Sequence, residues 1–208
     1  MKSEKWSNPT AETIKYLTDD ELRRFFDEIK KNPKERTRKR DLCLFSLMLA
    51  YGLRQAEAKA LRLENLNLNE KQIFIKRVKR QNSGRWCNIS EETLKIIKSW
   101  IKEREKTRFS KSNPFLFITQ KSRREEGLSG DQLYFICRRY GKAAGIERMH
   151  PHCLRHTCGV KLAKAGFNAF AIRDRLGHSS VISTQVYVEL AHPDSILRDQ
   201  KMDMALEY

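Results

Sequence analysis

The sequence contains no C-x-x-C pair. Its five cysteines, Cys43, Cys87, Cys137, Cys153 and Cys158, are odd in number and widely scattered. That pattern speaks against a disulfide framework. Four of them, all but Cys87, lie in apolar-periodic stretches and read as reduced, partly buried thiols of a cytosolic protein. No apolar run approaches the length of a membrane helix, and Met1 to Lys5 carries no signal-peptide core, so no membrane partner is expected. Internal repeats and low-complexity segments are missing as well, which sets aside solenoid and disordered-tail architectures. Acidic residues are in short supply: 26 Asp+Glu stand against 42 Lys+Arg, a formal net charge of +16.

The 208 residues suit one domain of ordinary size, or one domain with a small appendage, and 39% hydrophobic with 9% aromatic residues suffice for a core. The basic excess is spread over Lys30-Lys31, Arg36 to Arg40, Lys76 to Arg80, Arg104 to Lys111, Lys121 to Arg124 and Arg138-Arg139. A disordered tail would concentrate it in one block. Cations distributed over a folded chain suit a face laid along a polyanion, with a nucleic-acid duplex the leading candidate.

The hydrophobic spacing predicts a mostly helical chain with one small antiparallel β-sheet, an α+β fold. Thr18-Asp19-Asp20-Glu21 is a capping box opening a helix with Leu22, Phe25, Phe26 and Ile29 on one stripe. A second helix is expected from about Arg36 to Tyr51. Its later half, Leu42 to Ala50, is apolar nearly all round and should lie at the centre of the core. Gly52 stops it, placing Arg54 at the start of a short helix, Gln55 to Leu61. Leu66 to Leu68, Ile73 to Ile75 and Arg85 to Ile89 read as strands, the last two joined by a turn around Asn82-Ser83-Gly84. Ser90 caps a long helix with Leu94, Ile97, Trp100 and Ile101 inward. Phe115 to Phe117 is a short buried segment. Helices follow at about 129–144, 151–165, 168–176 and 179–191. Tyr51, Tyr134 and Tyr140 read as core tyrosines. Residues 1–17 are expected to be an arm or linker end, 18–191 the folded domain, and 192–208 a tail that docks in cis or on a neighbour.

One constellation carries chemistry. Arg54 follows Gly52-Leu53; His152-x-x-Arg155 comes later, then Leu176-Gly177-His178, then Tyr187. Two guanidiniums can hold the non-bridging oxygens of a phosphate bidentately. Imidazoles suit proton transfer and hydrogen bonding near neutral pH. A phenol can attack as a nucleophile, although its pKa near 10 requires help from positive charge or a base. Together they form the parts of a metal-independent phosphoryl transfer. His150, His152, Cys153, His156 and Cys158 also crowd together, but their spacings match no standard structural zinc pattern.

Taken together, Gly52-Leu53-Arg54-x-x-Glu57, His152-x-Leu154-Arg155-His156-Thr157, Leu176-Gly177-His178 and Tyr187 resemble the signature of the tyrosine recombinases, the phage-integrase family. Each short motif alone is weak; four in order and at Xer-type spacing are specific. The resemblance covers about Thr18 to Leu197 and implies an integrase-type catalytic domain. It implies site-specific cleavage and rejoining of DNA through a 3′-phosphotyrosyl link, without metal, ATP or other cofactor. The implied catalytic set is Arg54, Lys79, His152, Arg155, His178 and Tyr187. In it Tyr187 is the nucleophile, and His152 is the candidate base. His178 mainly donates a hydrogen bond to the phosphate, and Lys79 on the β-hairpin is the general acid, with Lys76 the alternative. Arg80 is less apt, because guanidinium yields its proton reluctantly. Asn88 stands where many relatives have proline. Glu57 reads as an orienting carboxylate and His156 as support behind the site. The implied partners are double-stranded DNA with a specific core site and further copies of the chain, a tetramer of two dimers. The implied setting is the cytoplasm and nucleoid of a prokaryote, or a virus or mobile element. Related chemistry leaves a type IB topoisomerase, a telomere resolvase or a weakly catalytic DNA-binding fragment as alternatives. Most integrases carry an N-terminal clamp domain. The short stretch before Thr18 suggests either a catalytic fragment or a minimal recombinase like the fimbrial-switch inverting enzymes.

Overall fold

The apolar helix expected at about Arg36 to Tyr51 lies at the centre of the core. The computed structural model describes residues 14–77, 84–120 and 126–191. Among these, α1 (Asp19–Lys30) and α2 (Glu35–Tyr51) are followed by the short α3 (Gln55–Lys59) and a 3-10 turn at Leu63–Asn65. Three strands come next: β1 (Leu66–Asn67), β2 (Gln72–Lys76) and β3 (Gly84–Asn88). Then follow α4 (Glu91–Arg104), α5 (Gly130–Ala143), α6 (Pro151–Lys164), α7 (Ala169–Leu176) and α8 (Ile182–Ala191). The α+β class and the small antiparallel sheet are as the sequence predicts.

Cys43, Leu44, Phe45, Leu47 and Met48 of α2 have no exposed surface. Each large aliphatic side chain so buried contributes roughly 1.5–3 kcal/mol. α4 and α6 both pack on α2. Capping fixes the flanking helices. Thr18 and Glu21 form a reciprocal box at α1, Ser90 accepts from the Thr93 amide at α4, and Ser129 with Gln132 closes the start of α5. The sheet runs β1-β2-β3, with Ile73 opposite Cys87 and Lys76 opposite Gly84. Ile73, Ile75 and Cys87 turn inward, while Phe74 and Trp86 meet on the outer face.

A second apolar cluster joins Cys158, Val160 and Ala163 of α6 to Ile172 and Leu176 of α7 and Val186 and Tyr187 of α8. Helix α6 therefore belongs to both clusters, with Cys153 and Leu154 in the first. The basic side chains of interest stand where the clusters meet.

Several expectations shift. The packed structure reaches back to Ile14, which is buried in the second cluster, and the Leu17 amide donates to Thr157 Oγ1 (2.9 Å). The short helix ends at Lys59, the third strand spans Gly84–Asn88, and α8 begins at Ile182. Tyr51 and Tyr140 are buried, but Tyr134 is 41% exposed on α5 and is no core residue. All five cysteines are free and buried. Lys79, Asn82, Ser83, most of the N-terminal arm and the 192–208 tail lie outside the described residues.

Candidate active site

Gly52 is the first element of the site. It terminates α2 in the left-handed region (φ 57°), and a Cβ there would lie 2.2 Å from Leu176 Cδ2. Only glycine allows both the backbone turn and the approach of α7. The turn presents Arg54 just before α3, and the Gly52 carbonyl accepts from Arg155 Nη1 (2.6 Å).

Arg54 is held on two sides. Its Nη1 donates to Glu57 Oε1 (2.8 Å) and its Nη2 to the Gly177 carbonyl (3.3 Å), while its amide donates to Glu57 Oε2 (3.0 Å). Arg155 is 3% exposed. Its Nη2 is buried without a hydrogen-bond partner, the one such side-chain atom found among the described residues. Burial, reinforced by the charge of Arg54, pulls its pKa down to about 10. Two like charges and an unpaired buried donor are costly without an anion between them.

Tyr187 lies at the same place, 1% exposed. Its ring rests on Gly159, where a Cβ would come within 2.9 Å of the ring carbons. Its hydroxyl is 2.9 Å from His156 Nδ1. The His178 ring stacks beside it, centroids 6.1 Å apart and planes inclined by 15°. His178 Nδ1 is in turn 2.8 Å from the hydroxyl of fully buried Thr184. Burial pushes the phenol up to about 12 and, with the neighbouring positive charges, pulls His156 and His178 down to about 3. The resting site therefore holds a neutral tyrosine and neutral imidazoles.

The structure thus gathers Arg54, Arg155, His178 and Tyr187. His152 is different: it is exposed, with its ring 6.2 Å from that of His156 and tilted by 36°. Partial desolvation by its packed neighbours and the charge of nearby Arg155 lower its pKa. The imidazole against the tyrosine is His156, which the sequence reading had placed behind the site. Lys79 is outside the described residues, and Lys76 is exposed at the end of β2.

One buried residue had no place in the sequence reading. Arg77 donates to Glu57 Oε2 (2.8 Å) and the Tyr51 carbonyl (3.0 Å), and also to the Arg175 carbonyl. It ties the end of β2 to Glu57, and through Glu57 to Arg54. Burial lowers its pKa and Glu57 opposes that. Glu57 is held below the usual carboxylate range by Arg77 and Arg54, against its own burial. Nothing local in Lys76-Arg77-Val78-Lys79 distinguishes one inward cation from its neighbours, except that alternation in β2 puts Ile73, Ile75 and Arg77 on one face.

The phage integrase family model matches residues 15–193. The chain belongs to the phage integrase family. Among curated integrase-family proteins, it is 30% identical over 176 residues to "Tyrosine recombinase XerA" of Pyrococcus furiosus, covering 85% of this chain and 57% of that one. It is 36% identical over 149 residues to "Type 1 fimbriae regulatory protein FimE" of Escherichia coli, covering 71% and 73%. Among solved structures it superposes on XerA recombinase with a TM-score of 0.72 at 27% identity, over 93% of this chain and 66% of that one. With XerH site-specific recombinase bound to a palindromic difH substrate the TM-score is 0.73 at 25% identity, over 97% and 54%. The chain therefore spans little more than half the length of some relatives it matches.

Proposed function

We propose that this chain cleaves and rejoins duplex DNA at a specific site through a covalent 3′-phosphotyrosyl intermediate on Tyr187. The observation that carries the reading is the buried, unpartnered Nη2 of Arg155, set beside the charge of Arg54 and the hydroxyl of Tyr187. A scissile phosphate is the anion that pairs both guanidiniums, and the same donors gain strength as charge builds on a pentacoordinate phosphorus. Thr184 Oγ1 lies 2.8 Å from His178 Nδ1, and a hydroxyl donating there would leave the His178 proton on Nε2, available to a phosphate oxygen. Tyr187 attacks, the 5′-oxygen leaves, and a lysine of the β2–β3 hairpin protonates it. Lys79 is assigned that role and Lys76 is the alternative. The phosphotyrosyl bond keeps the energy of the phosphodiester, so rejoining requires neither ATP nor metal.

Duplex DNA as partner is supported by the net charge of +16 and by the DNA-bound XerH relative. Assembly as a tetramer of two dimers on paired sites, with residues 192–208 docking in cis or on a neighbour, belongs to the same proposal. So do a cytoplasmic, nucleoid-associated location and catalytic roles for Arg54, His152, Arg155 and His178.

The test is a nicked suicide duplex carrying an inverted-repeat core site selected from DNA flanking the gene, in buffer with chelator. The expected product is a covalent protein–DNA adduct, absent for Tyr187→Phe, which binds DNA as the parent does. An adduct formed by Tyr187→Phe, or a requirement for added metal, overturns the reading.

A further inference from the structure

We infer that Arg77 is a positioning residue for the phosphate site: it sets Arg54 through Glu57, and the turn into His178 through the Arg175 carbonyl. This role rests on the transesterification reading above and supplies the group that holds the phosphate ligands in place before DNA arrives.

The end of α2 is the anchor. A helix leaves its last carbonyls without partners of its own, at its negative pole. Here three arginines take three successive ones. Arg175 of α7 donates to the Ala50 carbonyl (2.8 Å), Arg77 just after β2 to that of Tyr51 (3.0 Å), and Arg155 of α6 to that of Gly52 (2.6 Å). Arg175 also lies over the Tyr51 ring, 4.6 Å from its centroid.

Arg77 differs from the other two in what else it holds. Its Nη2 also donates to the Arg175 carbonyl, and its Nη1 to Glu57 Oε2 (2.8 Å). Its stem runs under Gly177, where a Cβ would come within 2.7 Å of Arg77 Cδ. One buried side chain thus joins β2, α2, α3 and the turn into His178. Arg155 keeps Nη2 open to an anion, whereas Nη2 of Arg77 is taken up by two carbonyls. Arg77 therefore supports the site and leaves the phosphate to its neighbours.

Its effect on Arg54 follows from a shared carboxylate. Glu57 meets Arg54 Nη1 with Oε1 and Arg77 Nη1 with Oε2. Left alone, a carboxylate and a guanidinium favour the bidentate pairing. By engaging Oε2, Arg77 keeps Glu57 from closing on the Arg54 guanidinium with both oxygens. Arg54 Nη2 then stays turned to the Gly177 carbonyl at 3.3 Å, a long bond that a phosphate oxygen can replace.

The experiment measures single-turnover cleavage of the nicked suicide duplex at saturating protein, well below the melting temperature. The scissile group is either an ordinary phosphate or a methylphosphonate, in which a methyl replaces one charged oxygen and lessens the need for a second guanidinium. Arg77→Met should bind the ordinary duplex as the parent does and cleave it about ten- to 100-fold more slowly. On the methylphosphonate that deficit should shrink several-fold, as it should for Arg54→Ala. Glu57→Gln should show the same pattern, and combining it with Arg77→Met should add little further loss. Ile97→Ala, buried on α4 away from the site, matches the lost stability and should keep the parent's ratio between the two duplexes. If Arg77→Met does not fold, Arg77→Lys replaces it: lysine keeps a cation beside Glu57 but cannot span the carbonyls, so the same pattern is expected at smaller size. Parent-like cleavage by the Arg77 variants, or a deficit of equal size on both duplexes, overturns this assignment alone. A parent chain that forms no adduct overturns the transesterification reading itself.

Discussion

At the scale of single residues, Gly159 and Arg77 carry consequences out of proportion to their apparent plainness. In most helices Gly→Ala is favourable by about 1 kcal/mol. At position 159 the added methyl meets the Tyr187 ring at 2.9 Å, an overpacking that costs roughly 1–3 kcal/mol. The two effects nearly cancel in stability but not in catalysis, because the ring must move. Gly159→Ala should melt within a few degrees of the parent, bind DNA equally and form adduct at least about tenfold more slowly. A parent-like cleavage rate would show that the seat has slack. Arg77→Met, by contrast, should show a clear loss of stability. It leaves buried Glu57 with one cation where it had two, a loss of about 3 kcal/mol when a buried ion pair is broken. For a chain of this length that lowers the melting temperature by roughly 10 °C. Calorimetry of Arg77→Met alone and with Glu57→Gln checks it; the double variant should lose less than the sum of the single losses.

At the scale of elements, most of the fold was legible and the site only in part. The capping box at Thr18, the Ser90 cap and the all-round apolar second half of α2 are local signals, and the helices they announce are where the sequence puts them. Arg54 was placed correctly because Gly52 dictates where α2 stops. The contact between His156 and Tyr187 was not legible, since it depends on which face of α8 lies on α6, and no periodicity encodes that. Tyr134 misled because it sits in a run of apolar residues, Leu133 to Cys137, in which spacing alone does not fix the inward face. The hairpin carries the remaining prediction. Lys79→Ala should slow cleavage of an ordinary 5′-oxygen and recover on a 5′-bridging phosphorothiolate, while Lys76→Ala stays near the parent. The reverse pattern moves the general acid to Lys76.

At the scale of the whole molecule, charge and burial make the protein sensitive to its medium in two ways. Cations dispersed over the fold predict that non-specific duplex affinity falls by about tenfold or more between 50 and 200 mM salt. Affinity that stays flat would mean that the basic face does not track phosphates. The pH response follows from the histidines. His156 and His178 titrate near 3 when folded, and His150 and His152 are lowered too. Unfolded imidazoles titrate near 6.5. Between those values the unfolded chain binds more protons, so stability rises with pH there and levels off above about 6.5. Melting temperature should therefore fall as pH drops from 7 to 5, ahead of the carboxylates. A flat profile would contradict the buried, neutral state of these rings.

The shelter around Tyr187 bears on safety. On the proposed function, any DNA backbone the chain meets would be a target. Here the hydroxyl of Tyr187, the proposed nucleophile, rests out of solvent, 2.9 Å from His156 Nδ1, on a ring seated against Gly159 of α6. A casual collision with a DNA backbone would then meet lysines and arginines, with the Tyr187 hydroxyl out of reach. On the proposed function, reactivity would belong to the DNA-bound complex rather than to the free chain.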